Sequence, residues 1–485
     1  MESLRSRALA SFSWSVLAKL VSQGTTLVGT LLLARLLPVA DFGLVAMAQI
    51  YLGFLQQFID AGFLYALIQR PTLTQRELAG SFWLLLVAGC AGFGASVLAR
   101  PLLDLVFGTP GIGTIIAVQS SILLFLPFRT VAQAILAHDV RVDELSKREA
   151  AIAVLRVAVS IALALRGAGV WSLILPQILA EMAFSMSCYR RARWRLTFEL
   201  SWEAMRPLVR YGVDITLSKI AWFGASRADQ FIVGRFLGPT VLGLYALAWQ
   251  FAGALPQFAS ATLSRVVFPV FSRLQGEVDR LRQAFLDVTR YTAFVALPAL
   301  AGLALVAPQL FALMLNASWR PAVGATQLLC ALAFFKVVEA TAGSVINARA
   351  GTRRNLVLNV LSLVATVVGV GLGARLGGLT GVAAGVGLAS APVTLLFVRG
   401  AMRECGGTLG AWLATLKGPL AATLAMSAAV AATDAALVTE APAPRLAALV
   451  SAGVTAYALA VLVVGREAVA ELRRLRQPSY HRGTP

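Results

Sequence analysis

Apolar residues fill this chain in long runs, and polar residues fall in short stretches between them. A helix crossing the hydrocarbon of a bilayer needs about 20 mostly apolar residues. Fourteen segments meet that criterion: 12–36, 42–67, 79–106, 112–137, 149–166, 168–189, 208–234, 241–264, 289–315, 321–348, 355–374, 378–399, 411–433 and 444–465. The pattern predicts an all-α membrane protein. The longest polar stretches are 138–148, 190–207, 271–288 and the tail, so no soluble domain is inserted.

The polar stretches also give an orientation, because cytoplasmic loops carry the Lys/Arg excess. The stretch after the sixth segment holds Arg190, Arg191, Arg193, Arg195, Arg206 and Arg210, and the stretch after the eighth holds Arg265, Arg273, Arg280, Arg282 and Arg290. The tail holds Arg466, Arg473, Arg474, Arg476 and Arg482. The odd-numbered turns carry one basic residue each: Arg35, Arg100, Arg166, Arg235, Arg320, Arg375 and Arg445. The alternation predicts that both termini are cytoplasmic.

Composition agrees. The 485 residues are 58% hydrophobic and 13% charged, with a mean hydropathy of +0.77. Ordinary globular chains are about 45–50% apolar and about 25% charged. A net charge of +19 suits a nucleic-acid partner when it is gathered on one face. Here it is divided among short clusters between apolar runs. Cys90, Cys188 and Cys330 lie in apolar segments and Cys405 in a basic loop, without disulfide or zinc spacing. They read as packing residues. Arg5 and Arg7 precede an apolar stretch too long for a cleavable signal, which reads as the first membrane helix.

An internal repeat divides the chain. Residues 35–48 read RLLPVADFGLVAMA and residues 235–248 read RFLGPTVLGLYALA. At an offset of 200, Arg35, Leu37, Gly43, Leu44, Ala46 and Ala48 recur. A weaker echo relates Leu98, Pro101 and Leu103 to Leu305, Pro308 and Leu310. Six helices fit one period, and an even number gives both halves one orientation. The expected lobes are 1–200 and 201–405, with two further helices and a basic tail in 406–485. Parallel repeats of this kind recur in transporters, with the substrate site between the halves.

Catalytic and nucleotide-binding patterns are missing. There is no GxxxxGK[ST] loop and no HExxH, and His138 and His481 lie far apart. No cofactor or metal site is expected. The glycines of 369–373 and 381–385 form GxxxG spacings inside apolar helices, where they let backbones approach.

The chemistry therefore rests on ionisable residues inside the spans, of which eleven are singled out. Each costs about 2.5–3.5 kcal/mol at a helix centre facing lipid, so each must face protein or water. Lys19, Arg129, Lys219, Arg227 and Lys336 are candidates for binding an anionic substrate. Asp60, Glu181, Asp214, Asp229 and Glu339 are candidates for coupling to an ion. Arg156 is the eleventh. A structural reading stands beside this one. Lys19 and Asp60 can pair between adjacent helices, Lys336 and Glu339 can pair on one helix face, and Arg156 and Asp214 can reach interfacial water. Pro127, Pro176, Pro256, Pro298 and Pro392 lie within spans and bend helices, in moving and static proteins alike.

Five motifs in order carry a family resemblance: LLARLLPVADFGLVAMA (32–48), with Ala61-Gly62 and 66–69 following; GAGVWSL (167–173); ADQFIVGRFLGPTVLGLYALA (228–248); VVFPVFSRLQ (266–275); and Trp319-Arg-Pro-Ala-Val323. They resemble the Wzx-type polysaccharide flippases, the polysaccharide transporter branch of the multidrug/oligosaccharidyl-lipid/polysaccharide exporter superfamily, and within it the lipopolysaccharide and colanic-acid exporters. The resemblance implies two six-helix lobes around a cavity, with two extra helices. It implies an inner-membrane protein that moves a polyprenyl-diphosphate-linked oligosaccharide outward, with polysaccharide polymerase and assembly proteins as possible partners. It assigns no site residues. A multidrug exporter shares the architecture. A membrane-embedded glycosyltransferase or ligase would need catalytic residues on an outer loop, and the outer loops are short, with few acids such as Asp104, Asp434 and Glu440.

Overall fold

In a bilayer the backbone must satisfy its own hydrogen bonds, which leaves helices or closed barrels. The computed structural model describes residues 18, 21–60, 63–68, 73–138, 142–199, 202–262, 267–349 and 351–464, and their regular structure is helical throughout. The chain forms two compact units, Met1–Ala246 and Leu247–Pro485. The lobe boundary expected at residue 200 concerns the sequence repeat, which the packing of each unit by itself does not test.

The first unit opens with α1 (21–36) and α2 (Val39–Asp60). The short α3 (Phe63–Ile68) follows, then α4 (Gln75–Leu98). Thr74 and Glu77 cap α4 reciprocally, satisfying amide groups that the first turn leaves free. Next come α5 (Arg100–Phe107), α6 (Ile112–Gln119) and α7 (Leu126–His138), the last two joined by a 3-10 turn at Ser120–Leu124. The sequence predicts one helix over 79–106 and one over 112–137, and the structure divides each. Pro101 and Pro127 lack an amide hydrogen and sit where new helical turns start. The helices α8 (Val142–Leu165) and α9 (Trp171–Ala192) form an antiparallel hairpin, turned by Gly167 and Gly169 at φ +77° and +54°.

The core of this unit is aromatic near the basic end of α9. Phe82 lies 4.9 Å from Phe128 and 5.7 Å from Trp194, ring centre to ring centre. Arg191 closes α9 onto Glu144 of α8 at 2.5 Å.

The α10 helix (Trp202–Thr262) is two limbs joined at Gly238, whose φ of +83° only glycine adopts freely. The division between the units falls inside its second limb. The second unit continues with α11 (Phe268–Arg273), α12 (Val278–Met314) and α13 (Ala322–Ala348). It ends with α14 (Thr352–Glu404), α15 (Leu409–Ala436) and α16 (Pro442–Val464). Gly377 and Gly378 fold α14 back on itself. In that hairpin the GxxxG glycines meet in pairs. A Cβ on Gly369 would lie 2.3 Å from the Gly385 carbonyl oxygen, and one on Gly373 would lie 2.1 Å from that of Gly381. Small residues permit this approach, as the spacing predicts. Burial pushes the Cys405 thiol, at the end of α14, up to about 11, so it is a neutral packing group.

Among the described residues nine helical stretches are long and apolar enough to span a membrane. That number counts each bent helix once. Separating the limbs of α10 and α14, and adding α1, α8 and α9, recovers the fourteen expected spans. Arg148, Glu149 and Arg156 dilute the apolar character of α8, and Gln177 and Glu181 that of α9.

Candidate functional site

The charges buried in apolar helices are held in small polar clusters. In the first unit α7 brings Arg129 against Glu181 of α9, with Nη1 2.8 Å from Oε1. The contact is a charge pairing rather than an aligned hydrogen bond, since Oε1 accepts none. One helical turn from Glu181, Gln177 Oε1 accepts from Gln119 Nε2 at 3.2 Å. Arg156 of α8 donates to Thr26 Oγ1 of α1 at 3.1 Å, so it is held inside the bundle as well as near its end. Asp60 is half-buried at the end of α2. Lys19, and with it the expected Lys19–Asp60 pair, lies outside the described residues. Asp214 and Lys219 lie on the first limb of α10, with side chains outside the described set.

Asp229 has a different setting. It is 4% exposed, on the first limb of α10. Its Oδ2 accepts from the hydroxyl of fully buried Tyr245 on the second limb at 2.8 Å, and its Oδ1 accepts the Gln230 amide at 2.8 Å. The bond ties one limb to the other across the Gly238 bend. Nearby Arg227 is exposed and donates to Gln230 Oε1 at 2.9 Å. Tyr245 escapes a search for charges. The available signal is its position, sixteen residues after Asp229 and beyond a Gly-Pro turn.

In the second unit Lys336 and Glu339 pair along α13 at 3.0 Å, as their spacing allows. The cluster is larger than the pair. Lys336 Nζ also lies 3.3 Å from Ser362 Oγ, and Thr394 Oγ1 donates to Glu339 Oε1 at 2.9 Å. Ser362 and Thr394 come from opposite limbs of α14, so hairpin closure assembles the site. Sequence reasoning missed both, because isolated Ser and Thr are ordinary in membrane helices.

These clusters balance positive against negative charge within apolar surroundings. Each lysine or arginine can hold a phosphate oxygen, and each carboxylate can hold a proton or cation, but only by giving up its present partner. Among the described residues, no group of three His, Cys, Asp or Glu gathers as a metal site.

Known proteins share both sequence and fold with this chain. The family described as "Polysaccharide biosynthesis protein" matches residues 32–324. The lipopolysaccharide biosynthesis protein WzxC of Escherichia coli (strain K12) is 24% identical over 389 residues, covering 79% of this chain and 78% of that protein. The teichuronic acid biosynthesis protein TuaB of Bacillus subtilis (strain 168) is 25% identical over 353 residues, or 72% and 73%. Among solved structures, the lipid II flippase MurJ in an inward closed conformation superposes with a TM-score of 0.76 at 11% identity, covering 94% of this chain and 99% of that one. An inward-facing multidrug resistance MATE family transporter of the MOP superfamily gives 0.64 at 16% identity, covering 81% and 98%. Those two likenesses establish a transporter fold, whereas the sequence match spans more than half of the chain. This multi-pass membrane protein belongs to the polysaccharide biosynthesis protein family, in agreement with its Wzx-type motifs.

Proposed function

We propose that the chain is a flippase: it carries a polyprenyl-diphosphate-linked oligosaccharide across the bacterial inner membrane for surface polysaccharide synthesis, by alternating access. The observation that carries this reading is a set of paired charges held inside apolar helices in a member of this family. A sugar headgroup cannot cross hydrocarbon unaided. Arg129 and Lys336, with Lys219 and Arg227, offer cations to its diphosphate while the prenyl tail stays in lipid. Glu181 and Glu339, with Asp60 and Asp214, are the carboxylates suited to ion coupling. In this reading the protein performs no covalent chemistry, and both termini face the cytoplasm. The named relatives act in lipopolysaccharide and teichuronic acid biosynthesis, which supports a glycan cargo.

The test is a deletion strain whose lipids are analysed by mass spectrometry, with surface polysaccharide measured in parallel. A complete lipid-linked repeat unit should accumulate as surface polymer disappears, and the unmodified chain should reverse both. Replacing Arg129, Lys219 and Lys336 together by Ala should lower export while leaving membrane levels intact. Unchanged polymer and lipids, with new drug sensitivity, would favour multidrug export, the reading that the fold shared with the MATE family transporter supports.

A further inference from the structure

An arginine at the end of a membrane helix sits at the depth of the lipid phosphates, and water alone often satisfies it there. The α14 hairpin in the second unit carries a more specific arrangement. Arg353 and Arg354 begin its first limb, and Arg399 and Arg403 end its second. Arg354 is neutralised across the limbs by Glu404 at 2.9 Å. Arg353, Arg399 and Arg403 are exposed, and among the described residues none of the three has an ion-pair partner. The limbs bring these charges to one end. They pack backbone to backbone where Gly369 meets Gly385, and they stay in contact as far as the arginines. A Cβ on Gly400 would lie 3.7 Å from Leu358 Cδ1 and 3.8 Å from Arg354 Nε.

An apolar track leads away from the arginines. On the first limb Arg353 is followed by Val357, Val360 and Val364, at the four- and three-residue spacing of one helix face. All three valines are more than half exposed. On the second limb exposed Leu388 and Leu395 precede Arg399 and Arg403 with the same periodicity. From Arg353 to Val364 the helix rises about 16 Å, the depth of one leaflet of a hydrocarbon core about 30 Å thick. The buried faces of the same limbs serve another purpose, since Ser362 and Thr394 belong to the cluster around Lys336 and Glu339.

We propose that the arginine end of the α14 hairpin is a binding site for an anionic phospholipid, of the phosphatidylglycerol or cardiolipin type. Arg353, Arg399 and Arg403 hold its phosphate oxygens through their guanidinium groups, and its acyl chains lie along the valines and leucines of the track. Three cations without carboxylates favour a headgroup of net negative charge, and basic sites beside membrane helices select such lipids. Every residue of the track is apolar, so it offers nothing to the sugars of the cargo and suits an ordinary phospholipid. On the orientation that the Lys and Arg distribution predicts, the lipid belongs to the cytoplasmic leaflet.

The experiment uses the purified full chain in a neutral detergent, titrated with phosphatidylglycerol or phosphatidylcholine in mixed micelles. Thermal unfolding and native mass spectrometry are the readouts, because a bound lipid raises the melting temperature. Phosphatidylglycerol should raise it and stay attached in the mass spectra, and phosphatidylcholine should do so far less. Arg353→Gln, Arg399→Gln and Arg403→Gln together should weaken phosphatidylglycerol binding about tenfold or more. The melting temperature without lipid should hardly change, since these side chains have no ion pair to lose. The three corresponding Lys variants keep the charge and should retain most of the binding, which separates lost recognition from lost folding. Arg190→Gln, Arg193→Gln and Arg195→Gln remove equal charge from an exposed cluster in the first unit, and should leave binding intact. Equal losses in the two Gln triples would mean that the lipid follows net charge, and would overturn the site. Binding that survives the α14 triple would overturn it too. An isoprenyl diphosphate is the second probe. If it depends on the three arginines while phosphatidylglycerol does not, the face receives the anchor of the cargo and the phospholipid site is refuted. A dimer that the α14 triple dissociates, with no lipid bound in the unmodified chain, would assign the face to a second copy instead.

Discussion

A carboxylate inside a membrane helix stays charged only when a partner neutralises it. Glu339 has its partner one turn away on the same helix, and its side chain is only 11% exposed. Removing Lys336 leaves that charge, among the described residues, with the Thr394 hydroxyl. Breaking a fully buried pair costs about 3–5 kcal/mol. Lys336 is 34% exposed at its side chain, and water screening there brings the expected cost to about 1–3 kcal/mol. Lys336→Ala should lower the melting temperature of the detergent-solubilised protein. Adding Glu339→Gln should restore much of that loss, because no unpaired charge remains. Two losses that simply add would show that the pair contributes nothing. The same reasoning at Asp229 gives a different answer. Tyr245→Phe removes one hydrogen bond to a buried carboxyl group, worth about 0.5–1.5 kcal/mol.

At the scale of elements, glycines decide how closely helices approach. In α14, Gly373 faces the Gly381 backbone, whereas nothing lies within 4 Å of a Cβ on Gly371. Gly373→Ala should force the hairpin apart and cost about 1–3 kcal/mol. Gly371→Ala should be neutral, or stabilise by about 0.4–1 kcal/mol through a less flexible unfolded chain. Thermal unfolding of the two variants in one detergent checks the difference, and equal effects would mean that the hairpin tolerates separation. The GxxxG spacing made this contact legible in the sequence, because a four-residue period sets small residues on one helix face. The breaks at Pro101 and Pro127 were less legible. Proline starts one helix and bends another, and local sequence alone does not choose between these outcomes.

Over the whole molecule, the distribution of Lys and Arg makes a topological statement that can be checked directly. Reporter fusions after Arg195 and after Arg476 should report cytoplasm, and one near Glu440 should report periplasm. The inverse pattern would reverse the orientation. The number of spans, their order and the all-helical class followed from the sequence, because hydrocarbon imposes one length and one backbone solution on every crossing. The ionisable residues inside the spans were equally visible, because a charge in an apolar run stands out from its neighbours. Their partners were not. The partners of Glu339 include Thr394, those of Asp229 include Tyr245, and the carbonyl facing Gly43 belongs to Pro239. Each pairing joins residues at least sixteen positions apart, across a bend or between helices, and helices pack through shape rather than through any local code. The sequence by itself determined where the chain crosses the membrane and which residues are too costly to leave in lipid. Only the tertiary structure decided which of those residues neutralise one another and which backbones touch, because both depend on the rotation and closeness of helices that hydropathy does not encode.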